Sequence, residues 1–277
     1  MYDLIGDIHG HADELEALLK KLVYTQKNGA YVHPDQRVLF VGDYIDRGPQ
    51  IPKTLDIVRR MVEAGAAIAL MGNHEYNALC FHIQERAGGH VRTHSIKNIL
   101  QHYQTLLQFQ NRQKEYDEWL EWFMTLPLFH EEAAFRAVHA CWDPKHIALP
   151  RRELPNGHLN EELVYRSAEQ GTPLNIAIDE TLKGKDLEMP EGRSFTDKDK
   201  NVRHHIRYKW WVDPPDTGYY TKDELPVFFG HYWLTDAPAL FRSNVCCVDY
   251  SVANNGKLVA YRFDGEAVLE NDRFVVV

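Results

Sequence analysis

The sequence predicts an α/β protein in which helices flank a mixed β-sheet and a helical segment is inserted beside it. Three patterns predict this fold. Short apolar runs alternate with stretches of helical periodicity, several of these runs end in glycine followed by a polar residue, and the later runs lie close together with turn sequences between them. All 277 residues are expected to form one domain.

The N-terminal part of the chain predicts a βαβαβ unit. Apolar runs at residues 2–5, 38–41 and 66–71 are separated by segments 11–22 and 51–62, which carry leucine, isoleucine and valine on one helical face. Strands that are apolar along their whole length are typical of a sheet covered on both faces.

Two insertions and a set of later strands complete the predicted organisation. Residues 77–130 are expected to be a helical insertion, and the Pro- and Gly-containing stretch 144–226 a second, less regular one. The strands then resume at 227–230, 244–250, 257–263 and 274–277. The turn sequences NNGK and DGE between the last runs predict antiparallel pairing there, so the sheet should be mixed.

Composition excludes several classes of function. The formal net charge is −9, from 40 acidic and 31 basic residues, so the surface should repel nucleic acid, and we expect no nucleic-acid partner. Four cysteines without a CxxC pair indicate a reducing, cytoplasmic environment. We expect no signal peptide and no membrane partner, because no apolar run approaches the ~20 residues that span a bilayer. Oligomeric state is left open.

Five polar clusters follow apolar runs. They read GDIHG (6–10), GDYIDRG (42–48), GNHE (72–75), VHA (138–140) and GHYW (230–233). Loops at the carboxyl ends of strands converge on one crevice even when they are distant in sequence, so these clusters are expected to meet.

Six residues in these clusters carry oxygen or nitrogen donors, with no thiolate: Asp7, His9, Asp43, Asn73, His139 and His231. This donor set suits Mn²⁺, Fe or Zn²⁺. Two divalent cations would offset the carboxylates, activate a bridging water and hold a phosphate for in-line attack. We therefore expect two metal ions as cofactors, with Mn²⁺ first and Fe or Zn²⁺ as alternatives.

Three further residues fit phosphoryl transfer to water. The planar guanidinium of Arg47 can bind phosphate oxygens in a bidentate way. His74 is placed to protonate the leaving oxygen, and Asp46 to orient its imidazole and raise its pKa.

These five motifs, in this order, resemble the calcineurin-like metallophosphoesterase superfamily. The DRG extension and GNHE are similar to its phosphoprotein phosphatase branch, which includes symmetrical diadenosine tetraphosphate hydrolases. The resemblance implies a four-layer-like β-sandwich of mixed sheets flanked by helices. It also implies one metal at Asp7, His9 and Asp43, with Asp43 bridging to a second metal held by Asn73, His139 and His231.

The resemblance further implies a second phosphate-binding arginine and a pocket-lining tyrosine. Arg207, with Arg203 next, is the candidate arginine, and Tyr250 is the candidate tyrosine. The sequence departs from the protein phosphatases after His139, where it reads HACWDP, and over residues 192–211. These departures affect the prediction of substrate, while the predicted chemistry is unchanged.

The leading functional hypothesis is a metal-dependent phosphoesterase that hydrolyses phosphate monoesters, in the manner of Ser/Thr phosphoprotein phosphatases. Its partner would be a phosphorylated protein or a small phosphorylated substrate. The alternative is a symmetrical bis(5'-nucleosyl)-tetraphosphate hydrolase, which attacks an anhydride with the same metal site. A narrow aromatic slot would favour nucleotides, and an open groove would favour a peptide.

Overall fold

A computed structural model describes residues 1–85, 88–154, 157–189, 193–196, 202–203, 205–212 and 220–277. The helices in these residues are α1 (Ala12–Lys21), α2 (Ile51–Glu63), α3 (Asn73–His82), α4 (Ile96–Gln108), α5 (Gln113–Met124), α6 (Pro144–Glu153), α7 (Glu161–Ala168) and α8 (Pro173–Lys183). None of the helices in the described ranges is long and apolar enough to cross a membrane.

The strands fall into two main sheets and three small pairs. They are β1 (Tyr2–Ile5), β2 (Thr25–Lys27), β3 (Ala30–Val32), β4 (Arg37–Phe40), β5 (Ala67–Ala69), β6 (Phe129–Glu131), β7 (Arg136–Val138), β8 (Asp186–Glu188), β9 (Phe195–Thr196), β10 (Val202–Arg203), β11 (His205–Arg207), β12 (Val227–Phe229), β13 (Val245–Cys247), β14 (Asp249–Tyr250), β15 (Lys257–Phe263) and β16 (Phe274–Val276). The small pairs are β2–β3, β8–β11 and β9–β10.

The first main sheet has the order β14-β15-β1-β4-β5, with β16 also paired to β15. Strands β1, β4 and β5 are parallel, as the predicted βαβαβ unit requires, and β15 runs antiparallel to β1. The second main sheet has the order β13-β12-β7-β6, with β7, β12 and β13 parallel and β6 antiparallel. Both sheets are therefore mixed, as predicted.

The two main sheets pack face to face and carry helices on their outer faces. Alternate residues along a strand point to opposite sides. Leu4 and Leu39 of the first sheet share a buried cluster with Phe228 and Cys246 of the second. Residues of opposite parity, such as Ile5 and Phe40, pack instead against α1 and α2. The predicted four-layer arrangement of a β-sandwich between helices is confirmed.

The prediction for the C-terminal strands is correct in part. The pairs β14–β15 and β15–β16 are antiparallel, as the turn sequences indicated. The predicted single strand 244–250 was wrong, because it divides at Val248 into β13 in the second sheet and β14 in the first. The pairing of β12 with β13 is parallel, so this part of the sheet is not a hairpin.

The two predicted insertions contain the remaining helices. Helices α4 and α5 lie in the segment 77–130, and α6, α7 and α8 lie in the segment 144–226. Helix α4 begins at a Ser95 cap, whose hydroxyl accepts a hydrogen bond from the backbone N–H of Asn98. That these segments are insertions into a single domain stays a prediction.

Candidate metal centre

The five polar clusters lie at one edge of the sandwich. Each directly follows the carboxyl end of a strand: β1, β4 and β5 in the first sheet, and β7 and β12 in the second. The cluster-bearing strands β1, β4 and β5 are parallel to one another, and so are β7 and β12. The turns that follow them in each sheet therefore open on the same side, as the sequence predicted.

Two glycines allow these turns to approach one another. A Cβ atom at Gly72 would overlap the Asp43 carboxylate, and one at Gly230 would overlap the carboxylate of Asp7. Glycine at these two positions is therefore required by the close approach of backbone to carboxylate.

The backbone around the cluster is held in an uncommon conformation. Several non-glycine residues of the motifs have positive φ angles, namely His9, Asp43, Asp46, Arg47, His231 and Trp233. Such conformations cost free energy and persist where surrounding contacts fix them, commonly at functional sites.

The buried carboxylate of Asp43 stands at the centre of the cluster. Its Oδ2 atom lies 3.6 Å from Nε2 of His9, 3.5 Å from Nε2 of His139 and 3.9 Å from Nε2 of His74. Two groups of donors converge within 4.8 Å, and Asp43 belongs to both: one with His9 and His74, the other with His139 and His231. Asp43 is thus the donor that both groups share, although the first group contains His74, the predicted acid, in place of the predicted ligand Asp7.

The imidazoles of His9 and His139 are oriented as metal ligands would be. Nδ1 of His9 donates to the carbonyl of Ile45 and Nδ1 of His139 to that of Val41, both at 2.8 Å. The Nε2 lone pairs therefore face the cluster. Burial and His74 lower the pKa of His9 to about 3, which keeps its imidazole neutral. His9 Nε2 is buried and has no hydrogen-bond partner among the described residues.

Asn73 and His231 complete the second group of donors. Oδ1 of Asn73 lies 3.0 Å from Nε2 of His139 and 2.7 Å from Nδ1 of His231. Arg207 donates to Nε2 of His231 at 2.7 Å, which leaves Nδ1 of that ring facing Asn73. The guanidinium of Arg207, the candidate second arginine, therefore lies at the cluster, although its side chain is partly exposed.

Asp7 and Asp249 add buried negative charge next to Asp43. Asp7 accepts a hydrogen bond from the backbone N–H of His231, and Asp249 accepts from that of Trp233. Burial, together with Asp249 and Asp43, raises the pKa of Asp7 well above its usual range, and burial raises that of Asp249. Divalent cations would relieve this crowding, so the residues present fit two metal ions. Sequence analysis missed Asp249, since it lies in a strand without a motif.

His74 and Asp46 form a dyad, as the sequence analysis expected. Nδ1 of His74 lies 2.5 Å from Oδ2 of Asp46. Burial lowers the pKa of His74, but Asp43 and Asp46 outweigh it and raise that pKa above its ordinary value. Burial alone would raise the pKa of Asp46, but His102 and His74 outweigh it and hold that pKa below the usual range. The dyad therefore favours a protonated imidazole, which a general acid needs.

Helix α4 supports this dyad in a way the sequence did not reveal. His102 and Thr105 both donate to Oδ1 of Asp46, at 2.8 and 2.5 Å. The other ring nitrogen of His102 contacts the hydroxyl of Tyr116 at 2.8 Å. The helical spacing of His102 and Thr105 was the only sequence signal, and nothing in it pointed to Asp46.

Glu75 holds the turn that carries Asp43. Its carboxylate accepts hydrogen bonds from the backbone N–H groups of Asp43, Tyr44, Ile45 and Gly72. Burial and Asp43 raise its pKa to about 7. The last residue of GNHE therefore stabilises the backbone of the cluster.

Arg47 lies at the rim of the cluster, between His74 and Trp233. Its Nη2 atom lies 3.3 Å from Nε2 of His74, and its guanidinium carbon lies 3.8 Å from the centroid of the Trp233 ring. This stacking fixes the guanidinium plane beside the general-acid candidate. Trp233 was not predicted, because a single tryptophan after GHY reads equally well as a packed residue.

The cluster opens into a cavity of about 420 Å³. Its lining contains five cationic side chains, Arg47, Arg92, Lys97, Lys183 and Arg207. Arg47 and Arg207 belong to the predicted site, as do four further lining residues, Asp46, Asn73, His74 and His231. A larger cavity of about 740 Å³, beside the β2–β3 pair, contains none of the predicted site residues.

Tyr250 does not line the cavity, contrary to the sequence expectation. Its hydroxyl accepts from the backbone N–H of Ala239 at 3.0 Å, and its ring packs near Phe274. Strand β14 therefore directs this side chain away from the cluster. The side chain of Arg203, the other candidate arginine, lies outside the described residues.

A family model of calcineurin-like phosphoesterases matches residues 2–261, almost the whole chain. The chain belongs to this family. As a calcineurin-like phosphoesterase it is a phosphoric ester hydrolase of a class that depends on a dinuclear metal centre, as the sequence motifs predicted.

Curated relatives of this phosphoesterase are named bis(5'-nucleosyl)-tetraphosphatase PrpE [asymmetrical]. The protein from Bacillus cereus strain AH187 is 31% identical over 188 residues, which cover 66% of this chain and 74% of the relative. The protein from Bacillus subtilis strain 168 is 50% identical over 74 residues, which cover 26% of this chain and 30% of the relative. The chain thus spans less than a third of the length of several of these relatives.

Solved structures share the fold of this phosphoesterase at low identity. A cold-active protein-tyrosine phosphatase of a psychrophile Shewanella species has a TM-score of 0.58 at 19% identity, over 99% of this chain and 76% of that one. A protein serine/threonine phosphatase from Saccharomyces cerevisiae has a TM-score of 0.54 at 14% identity, over 100% and 78%.

Proposed function

We propose that the protein hydrolyses dinucleoside polyphosphates at a dinuclear metal centre and that it cleaves them asymmetrically. The observation that carries this proposal is the set of five cationic side chains around the cavity next to the cluster. The names of the relatives agree with it, because they specify bis(5'-nucleosyl)-tetraphosphatases of the asymmetrical type. They do not support the symmetrical hydrolase, which the sequence analysis kept as the alternative to hydrolysis of phosphate monoesters.

The charge of the cavity is more than one phosphate group requires. A phosphate monoester bound to two divalent cations needs little beyond Arg47 to neutralise its remaining oxygens. The chain as a whole is acidic, with a net charge of −9, yet Arg92, Lys97, Lys183 and Arg207 join Arg47 around this one cavity. Lys183 also pairs with Asp179 and Arg207 with Asp186, so Arg92 and Lys97 carry most of the added charge. A chain of several phosphates is the substrate class that matches this local concentration of positive charge.

We propose the following ligands for the two metal ions: Asp7, His9, Asp43, Asn73, His139 and His231. When bound, the ions would supply a deprotonated water and polarise the phosphate that it attacks. Mn²⁺ is the first expectation for their identity, because the donors are carboxylate, amide and imidazole groups.

The side chains around the ions perform the remaining steps. Arg47 binds non-bridging oxygens of the attacked phosphate and is held in place by Trp233. The water oxygen forms a bond to phosphorus while the bond to the bridging oxygen breaks. Nε2 of His74 donates its proton to that leaving oxygen, and Asp46 stabilises the protonated imidazole through Nδ1. Cleavage of diadenosine tetraphosphate next to one adenosine yields AMP and ATP.

Hydrolysis of phosphate monoesters, including phosphoserine and phosphothreonine in proteins, is the second candidate. The motifs favour it, since the pairing of His74 with Asp46 would protonate a serine or threonine oxygen equally well. It gives no role to the cations that line the cavity beyond Arg47.

A competition between substrates tests the proposal. With Mn²⁺ present, kcat/KM is measured for diadenosine tetraphosphate, for phosphoserine and phosphothreonine peptides, and for an aryl phosphate. We expect the dinucleotide to be preferred about tenfold or more, which corresponds to about 1.4 kcal/mol of transition-state binding. Equimolar ATP and AMP are the expected products. Two ADP molecules would restore the symmetrical alternative, and a tenfold preference for a phosphopeptide would reject the proposal.

A further inference from the structure

Arg92 lies in the connection between α3 and α4 and is held by two side-chain amides. Its Nη1 donates to Oδ1 of Asn77 and its Nη2 to Oε1 of Gln101, both at 2.8 Å. The backbone N–H of Arg92 donates to the carbonyl of Cys80 at 2.7 Å. Both ends of the guanidinium are therefore oriented, one from each helix.

These partners orient the charge of Arg92 without neutralising it. Several arginines elsewhere, including Arg136, Arg166 and Arg262, pair directly with carboxylates. Within the described part of the chain, no carboxylate lies within ion-pair distance of Arg92. The side chain is half-buried, and burial lowers its pKa below the ordinary value. A guanidinium held in this environment gains free energy when an anion binds it.

The position of Arg92 points to the kind of anion. It lines the same cavity as Asn73, His74 and Arg47, and Lys97 of α4 lines that cavity too. Arg47 comes from the turn after β4, whereas Arg92 comes from the connection between α3 and α4, so separate segments of the chain supply these cations. An anion that reached both would carry at least two charged groups in a row.

We propose that Arg92, with Lys97, forms a second anion subsite that binds the phosphates beyond the one under attack. Asn77 and Gln101 act as positioning residues for the guanidinium. The subsite takes an inorganic or nucleotide-linked polyphosphate chain and selects it over a single phosphate. This inference deepens the proposed function and rests on it, but its test does not require turnover of a dinucleotide.

The alternative is that Arg92 only ties α3 to α4. A tie contributes to stability and affects every substrate to the same degree, because α4 supports the His74–Asp46 dyad. A subsite affects only substrates and inhibitors that are long enough to reach it. The length of the phosphate chain therefore separates the two roles.

The experiment uses the full chain loaded with Mn²⁺ and an aryl phosphate as substrate. Orthophosphate and tripolyphosphate are compared as competitive inhibitors, with free metal held constant and in excess. The variants are Arg92→Gln, Arg92→Lys and, as a control, Arg166→Gln, because Arg166 is exposed and pairs with Glu153 of a different helix. The thermal midpoint is recorded for each variant.

We expect the wild type and the control to bind tripolyphosphate at least tenfold more tightly than orthophosphate. Arg92→Gln should remove most of that difference. The inhibition constant of orthophosphate and the kcat/KM for the aryl phosphate should each change less than twofold. Arg92→Lys should restore part of it, because the charge remains while the planar fork is lost. If Arg92→Gln does not fold, Arg92→Lys alone must narrow the difference by threefold or more.

Three results would overturn the subsite. They are equal binding of both anions by the wild type, an unchanged difference in Arg92→Gln, and an equal loss for both anions. The protein could fail to hydrolyse diadenosine tetraphosphate and still prefer tripolyphosphate to orthophosphate in a way that depends on Arg92. That result would reject the proposed function and keep the subsite.

Discussion

The two sides of the cavity are built in different ways. The donor cluster stands on turns at strand ends, where its side chains are buried and each has defined partners, as Asp43 and His139 have. The other side of the comparison is a set of lining cations on helices, such as Lys97 and Lys183, whose side chains are partly or fully exposed. The proposed metal ligands therefore stand on backbone with many fixed contacts, whereas the cations proposed to bind a longer substrate stand on more exposed side chains.

The largest effect is expected from Asp43→Asn, because this carboxylate is shared by both groups of donors. It should lower kcat/KM about 10³-fold or more, roughly 4 kcal/mol, for every substrate. Metal analysis should show fewer than the approximately two ions per chain that a dinuclear centre requires. A variant that retains full metal content and activity within tenfold of the wild type would contradict the proposed bridging role.

The next largest effect is expected from His74→Gln, and it should depend on the leaving group. For an alkyl phosphate, whose leaving alkoxide must be protonated, loss of the general acid should lower kcat about 10²-fold to 10⁴-fold. The loss should be at least tenfold smaller with a nitrophenyl phosphate, whose leaving oxygen needs no proton. Asp46→Asn should show the same dependence more weakly, since it leaves the imidazole in place. Equal losses on both substrates would remove His74 from the role of acid.

Trp233 contacts Arg47 in the lining of the cavity, and its replacement should show an intermediate effect. Its ring stacks on Arg47, and its backbone is bound to Asp249. Trp233→Leu should cost about 0.5–2 kcal/mol, or roughly 2-fold to 30-fold, mainly as a higher KM. Trp233→Phe should recover part of this loss because it keeps an aromatic face. A purely structural tryptophan would lower the thermal midpoint and leave KM unchanged.

The smallest effect is expected from Lys97→Gln on the exposed wall. An exposed charge contributes about 0.2–1 kcal/mol, so kcat/KM for a polyphosphate should fall roughly twofold to fourfold at low salt. The difference should vanish at about 1 M salt, where the screening length is about 3 Å. A loss that persists at high salt would contradict the role of Lys97 as an exposed charge that salt screens.

The sequence was informative where backbone geometry limits the choice of residue. A glycine followed by Asp, Asn or His after an apolar run predicted the turns that hold Asp7, Asp43 and Asn73. The order of the strands then predicted that these turns meet. Mixed sheets followed from the same runs, although the break at Val248 did not, because an apolar residue can continue a strand or end it.

The sequence was uninformative where long-range packing decides the contact. His102 and Thr105 reach Asp46 because α4 docks beside the turn after β4, and no local pattern encodes that docking. Arg92 was likewise not identified from the sequence, because side-chain amides on two different helices hold its guanidinium. Tyr250 failed as a prediction because the direction of its side chain depends on the register of β14 with β15, which the motif does not specify.

The pairing of β1 with β15 has a consequence for how the molecule is made. Tyr2 lies opposite Phe263, so β1 is hydrogen-bonded on one side to a strand that is synthesised much later along the chain. The ribosome must therefore synthesise the chain as far as β15 before β1 can pair on that side. Until then, one edge of an apolar strand stays unpaired and accessible to other chains. Such long-range closure slows folding, so premature termination before β15 should yield a product dependent on chaperones.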